Sequence, residues 1–184
     1  MEWDRYYKET NITPFNEQAP YYAYFLDHYK EFVTRGKDPN KPLSVALGGL
    51  HPKVTLPSHF ASLCQAVFDS PLDVHIIEQN KQVLDSLPQA DEYSLLHAQL
   101  EALPEHFPQL SLLICDFTLD FMSDSQVKEL NKTLPAKLDT NGLFIVTQEC
   151  TAIPIITKLQ NKIKYGIDVH PRSADNLCNL LPNE

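Results

Sequence analysis

The stretch LSVALGGLH, Leu43 to His51, is a five-residue apolar run that stops at two adjacent glycines. An apolar run without polar alternation is the signature of a strand buried on both faces. The same kind of run recurs downstream as VHII (Val74 to Ile77), YSLLH (Tyr93 to His97), LSLLIC (Leu110 to Cys115) and LFIVT (Leu143 to Thr147). Helical signals separate these runs. Pro57 opens a segment whose Phe60, Leu63, Cys64 and Val67 fall at i, i+3, i+4 and i+7. Asn80 is placed to cap a helix carrying Val83, Leu84 and Leu87. Ser123 and Gln126 have capping-box spacing ahead of Val127, Leu130, Leu134 and Leu138, and Pro135 should break that helix. Asn141-Gly142 reads as a turn. Strands are therefore expected near 43–47, 74–77, 93–97, 112–115 and 143–147. Their alternation with helices predicts an α/β fold, a Rossmann-like three-layer sandwich around a mostly parallel sheet.

Upstream of this body, Tyr22, Phe25, Tyr29 and Phe32 step by three or four and predict a helix from Pro20 to Val33 with those aromatics on one face. TRGKDPNKP, Thr34 to Pro42, reads as a loop. Residues 1–42 are thus taken as an N-terminal helical segment and linker, and 43–184 as the Rossmann-like domain. After Thr147 the tail can supply one strand at most, so the sheet is expected to be short at that end. Ile167 to Val169 is the candidate, and Ser173 could cap a helix running to Leu181.

Composition narrows the function classes. The chain has 184 residues, 43% hydrophobic and 21% charged, an ordinary globular balance for one domain. No apolar run is long enough to span a bilayer, and Met1-Glu2-Trp3-Asp4-Arg5 lacks a signal pattern, so a soluble cytoplasmic protein is expected. A formal charge of −9 repels polyanions, and the lysines at 37 and 41 or at 158, 162 and 164 cluster weakly, so nucleic acid is an unfavoured partner. Cys64, Cys115, Cys150 and Cys178 show no metal-finger spacing and read as reduced and structural. No zinc site is expected.

Parallel sheets bind ligands at the carboxyl ends of their strands, near the switch in strand order. That predicts a crevice lined by Gly48, Gly49, Leu50, His51, Glu78, Ala98, Gln99 and Asp116. Glycine at 48 and 49 lets a ligand approach the backbone, although a tight turn explains the pair equally well. No G-x-x-x-x-G-K-[ST] or G-x-G-x-x-G is present, which removes the phosphate loop and disfavours a nicotinamide-dependent oxidoreductase. An acid closing the second strand suits a ribose, and Glu78 could accept from both hydroxyls.

In order and spacing, these elements resemble the class I S-adenosylmethionine-dependent methyltransferases, from about residue 43 to 150. VHIIEQN is similar to the family's second strand with its ribose-binding acid. LLHAQLEALPEHFPQLSLLICDFTLDFM is similar to its third strand, adenine loop and fourth strand, and LPAKLDTNGLFIVTQE to the helix, glycine turn and fifth strand that follow. The resemblance implies S-adenosyl-L-methionine as cofactor, held by Gly48, Gly49, Glu78 and Gln99. It implies attack by a substrate heteroatom on the sulfonium methyl, with Asp116 handling a small-molecule substrate and Asp120 and His51 as neighbours. Three features depart from the family. The first-loop acid is replaced by Ala46 or Leu47, with Leu50, His51, Pro52 and Lys53 where later glycines usually stand, and Gln99 replaces the acid that faces adenine. These departures support a second reading, a catalytically inactive methyltransferase-like domain that binds a protein partner or a second copy of itself. Tyr21 and Tyr22 read as packing residues in preference to an active-site lid.

Overall fold

In a computed structural model of the chain, residues 15–50, 57–116, 118–147, 162, 170 and 172–180 are described. The elements, in chain order, are α1 (Phe15–Thr34), β1 (Leu43–Gly48), α2 (Pro57–Val67), β2 (Leu72–Glu78), α3 (Lys81–Asp85), β3 (Ser94–His97), β4 (Leu110–Asp116), α4 (Asp124–Thr133), β5 (Leu138–Thr147) and α5 (Ala174–Leu180). Short 3-10 turns at Leu100–Ala102, Thr118–Phe121 and Leu134–Ala136 complete the connections.

The five strands form one sheet in the order β3-β2-β1-β4-β5, and every adjacent pair is parallel. Each predicted apolar run is one of these strands. Consecutive side chains along them point to opposite faces. Val45, Leu47, Val74, Ile76, Leu112 and Ile114 join one core cluster with Tyr22, Leu26, Val33, Phe60 and Cys64. Ala46, Ile77, Leu113 and Cys115 join the other with Leu119, Val127 and Leu130. Burial on both faces is why β1, β4 and most of β2 carry no polar alternation, while the edge strands β3 and β5 are half-buried. The result is a three-layer α/β sandwich of Rossmann-like type.

Local chemistry sets the helix ends. The Asn80 side chain accepts from the Gln82 N–H at 3.1 Å. Ser123 and Gln126 form the reciprocal capping box, and α4 ends at Thr133, before Pro135. Asn141 and Gly142 differ from expectation. They lie inside β5, where the register jumps from Leu110↔Leu138 to Leu112↔Leu143. Asn141 holds φ 65° in this bulge, which its short polar side chain tolerates.

The face of α1 also differs. Tyr22, Leu26 and Val33 are buried, whereas Phe25, Tyr29 and Phe32 are 50%, 39% and 41% exposed. Both stripes satisfy helical spacing, and the sheet accepts the one containing Leu26 and Val33. The Tyr22 hydroxyl donates to Thr147 Oγ1 at 3.0 Å, tying α1 to the end of β5. Cys64 and Cys115 are buried free thiols, while Cys178 is exposed and contributes nothing to the core. Cys150 and the expected strand at Ile167 to Val169 lie outside the described residues. No described helix is long and apolar enough to cross a membrane.

Arg172 fastens the C-terminal helix to the body. Its Nε and Nη2 donate to Asp124 Oδ1 at 3.0 and 2.8 Å. Nη1 donates to the carbonyls of Leu119 and His170 at 2.7 and 3.1 Å, and Nη2 to that of Met122 at 2.6 Å. Each guanidinium N–H therefore has an acceptor, which is how a charge only 6% exposed is accommodated.

Candidate functional site

The chain leaves β1 for β2 on one side and later returns to β4 on the other. The topological switch therefore lies between β1 and β4, and a ligand crevice is expected outside their carboxyl ends. Gly48, Gly49, Glu78, Gln99 and Asp116 all fall at this end of the sheet. Gly48 pairs with Ile77 and Cys115 in register, and the Gly49 N–H donates to the Ile77 carbonyl at 2.8 Å.

Glu78 closes β2 with its side chain buried. Its Oε2 accepts from the Leu50 N–H at 2.8 Å and its Oε1 from the Asn80 N–H at 2.6 Å. Burial pushes the carboxyl above its ordinary range, while the N–H groups of Asn80, Leu50 and Gln79 and the nearby His97 oppose that shift. The acid thus ties together the loops that follow β1 and β2. With about four lone-pair sites in all and the N–H groups of Leu50, Asn80 and Gln79 directed at them, the carboxylate keeps about one acceptor position.

Beside Glu78, an open groove of about 620 Å³ runs past the ends of β2 and β3, lined by Gln79, Asn80, Lys81, Gln82, His97, Ala98 and Gln99. His97 Nε2–H donates to the Gln79 carbonyl at 2.9 Å, and the Ala98 N–H to the Glu78 carbonyl at 3.2 Å. Gln99 is exposed at the head of the 3-10 turn Leu100–Ala102. Its amide is accessible from the groove.

The Cβ side of each glycine is filled by protein. A Cβ on Gly48 would lie 2.6 Å from Leu100 Cδ2 and 2.9 Å from Cys115 Sγ. Gly49 holds φ +78°, and a Cβ there would lie 2.7 Å from Thr118 Cγ2. Thr118 Oγ1 also donates to the Gly48 carbonyl at 2.6 Å. The sequence reading missed both Leu100 and Thr118. The first looks like an ordinary core leucine, and nothing in the run after β4 marks Thr118 as the residue that reaches β1.

Asp116 is the last residue of β4, paired in register with Thr147, and its side chain lies outside the described part of the structure. Asp120 is buried in the next turn, where its carbonyl accepts from the His170 N–H at 2.6 Å. His51 lies outside the described residues. Among the described residues no group of three His, Cys, Asp or Glu side chains could hold a metal ion.

Sheet order, layering and a groove at the carboxyl ends of the strands define a Rossmann-like domain. More narrowly, the fold is that of the class I S-adenosylmethionine-dependent methyltransferases, and solved structures carry this assignment. A structure described as a pericyclic reaction enzyme aligns over 83% of this chain and 39% of its own, at 14% identity and TM-score 0.56. LepI in complex with SAM aligns over 82% and 39%, at 14% identity and TM-score 0.55. CalO1, a methyltransferase in calicheamicin biosynthesis in its SAH-bound form, aligns over 84% and 46%, at 11% identity and TM-score 0.51. The chain spans less than half the length of each of these structures. No protein-family model matches the chain, and no curated protein does.

The residues at the crevice fit the two halves of S-adenosylmethionine unequally. The groove, Glu78 and Gln99 offer space, an acid and an amide suited to ribose and adenine. At Gly48 and Gly49, Leu100, Cys115 and Thr118 fill the space that a Cβ would take, and Ala46 and Leu47 carry no charge.

Proposed function

We propose that this chain is an S-adenosylmethionine-dependent methyltransferase domain that acts on a small molecule and takes hold of its cofactor by the adenosine half. The observation that carries the reading is Glu78, a buried acid closing β2 next to an open groove at the strand ends. In this reading Glu78 accepts from a ribose hydroxyl through its remaining acceptor position, Gln99 meets the adenine edge, and Gly48 and Gly49 form the floor. Asp116, at the end of β4, handles the substrate by orienting its nucleophile and, where the nucleophile must lose a proton, by accepting it. A cytoplasmic setting, with no metal and no nucleic-acid partner, belongs to the same proposal.

A second reading is favoured by a specific observation. Both Glu78 oxygens already hold backbone N–H groups, and Thr118 sits on Gly49. A domain that uses these groups only to brace its loops would serve as an interaction module, and the fold by itself does not dictate chemistry.

Calorimetric titration with adenosine and S-adenosylhomocysteine, on wild type and Glu78→Ala, separates the two. The methyltransferase reading expects adenosine binding that Glu78→Ala weakens by about tenfold or more. If neither ligand binds and Glu78→Ala changes nothing, the interaction module replaces it.

A further inference from the structure

We propose that Thr118 is the specificity-determining residue of this crevice, closing the passage from the nucleoside groove to the end of β4. This inference rests on the nucleoside reading of the groove given above. The groove lies at the ends of β2 and β3, and Asp116 ends β4. In the order β3-β2-β1-β4, any ligand that spans both must cross the end of β1, over Gly48 and Gly49. Thr118 lies against both glycines there. Its hydroxyl is fixed to the Gly48 carbonyl at 2.6 Å, and its Cγ2 and Cβ lie 2.7 and 3.0 Å from where a Cβ on Gly49 would be.

The backbone beneath cannot drop away. Gly49 N–H is held by the Ile77 carbonyl and Leu50 N–H by Glu78, so the turn is pinned from the β2 side while Thr118 bears on it from the β4 side. The absence of a Cβ at Gly49 therefore makes room for a neighbouring side chain. S-adenosylmethionine is then held by its nucleoside half, and its amino-acid chain adds little affinity until Thr118 is moved or made smaller.

The test compares adenosine and S-adenosylhomocysteine by calorimetry on wild type, Thr118→Ala and Thr118→Val, with circular dichroism and thermal unfolding to confirm the fold of each. Valine keeps the shape of threonine and deletes the hydroxyl, so it separates bulk from the hydrogen bond. Adenosine affinity should be alike in all three proteins. Affinity for S-adenosylhomocysteine relative to adenosine should rise about tenfold or more in Thr118→Ala and stay at the wild-type ratio in Thr118→Val. An unchanged ratio in Thr118→Ala overturns the inference. So does a wild type that already binds S-adenosylhomocysteine far more tightly than adenosine, or a Thr118→Val that opens as fully as Thr118→Ala. If adenosine binds none of the three, the nucleoside reading itself fails and this inference falls with it. The adenosine arm reports on the reading, and the ratio reports on Thr118.

Discussion

The Leu50 N–H donates to Glu78 Oε2 at 2.8 Å, which ties the turn after β1 to the last residue of β2. The partners are 28 residues apart in the chain, and they meet because β1 and β2 are parallel neighbours in register from Leu43↔Leu72 to Gly48↔Ile77. The contact gives Glu78 a structural role whatever ligand the crevice takes.

Glu78→Gln should lower stability at neutral pH by about 1–3 kcal/mol, the range for losing a charged acceptor to a buried N–H. The deficit should grow as pH falls. Burial raises the Glu78 carboxyl above its ordinary value, so the native state binds a proton more readily than the unfolded chain. Stability from this group is therefore lost as pH rises through that window and regained as it falls. Urea unfolding at pH 7 and pH 5 on both proteins checks the magnitude and the sign. A gap that shrinks toward acid would contradict the assignment.

His75 should act in the opposite direction. Its Nδ1 lies 2.8 Å from Ser94 Oγ, its ring meets Phe107 edge-on at 5.0 Å, and Nε2 sits 3.3 Å from Asp73 Oδ2 without the alignment of a hydrogen bond. Burial lowers its pKa, outweighing the attraction of Asp73. The unfolded chain then takes the proton first, so this group costs stability as pH falls below the ordinary histidine value of about 6.5. His75→Gln should lose less stability than wild type between pH 7 and pH 5. Equal losses in chemical denaturation would show that His75 does not contribute.

Arg172→Met should destabilise by about 3–5 kcal/mol, because the carbonyls of Leu119 and Met122 and the Asp124 carboxylate lose their donors together. Arg172→Lys should recover little, since three rotating donors cannot reproduce the planar five-donor fork. Denaturant midpoints of the three proteins give the comparison, and full rescue by lysine would mean that charge alone matters.

Gly49→Ala should cost more than about 1 kcal/mol, since it adds both a positive-φ penalty and a clash with Thr118. Combining it with Thr118→Gly should relieve the clash and leave the backbone strain. A double-mutant cycle on unfolding free energies measures the coupling. Strict additivity would deny the contact.

Cysteine labelling offers a test independent of ligands. Exposed Cys178 should react with a thiol reagent in the native protein. Buried Cys64, whose thiol is pushed up to about 12, should react only on unfolding. Peptide mapping after brief and exhaustive labelling distinguishes the sites, and rapid native labelling of Cys64 would contradict its burial.

By itself the sequence determined the five strands, the caps at Asn80 and Ser123, the helix stop before Pro135 and the end of the sheet where Gly48, Gly49 and Glu78 gather. These features are local, or they follow from strands buried on both faces, which leave a readable apolar run. The tertiary structure decided the rest. It selected the Tyr22, Leu26 and Val33 face of α1 over Phe25, Tyr29 and Phe32, because helical spacing fits both stripes and only packing against the sheet chooses between them. It brought Glu78 to the Leu50 N–H and seated Thr118 on Gly49, far away in the sequence. It placed Arg172 among the carbonyls of Leu119 and Met122. Contacts of that kind depend on strand order and on which turn faces which, and no short-range pattern of residues encodes either.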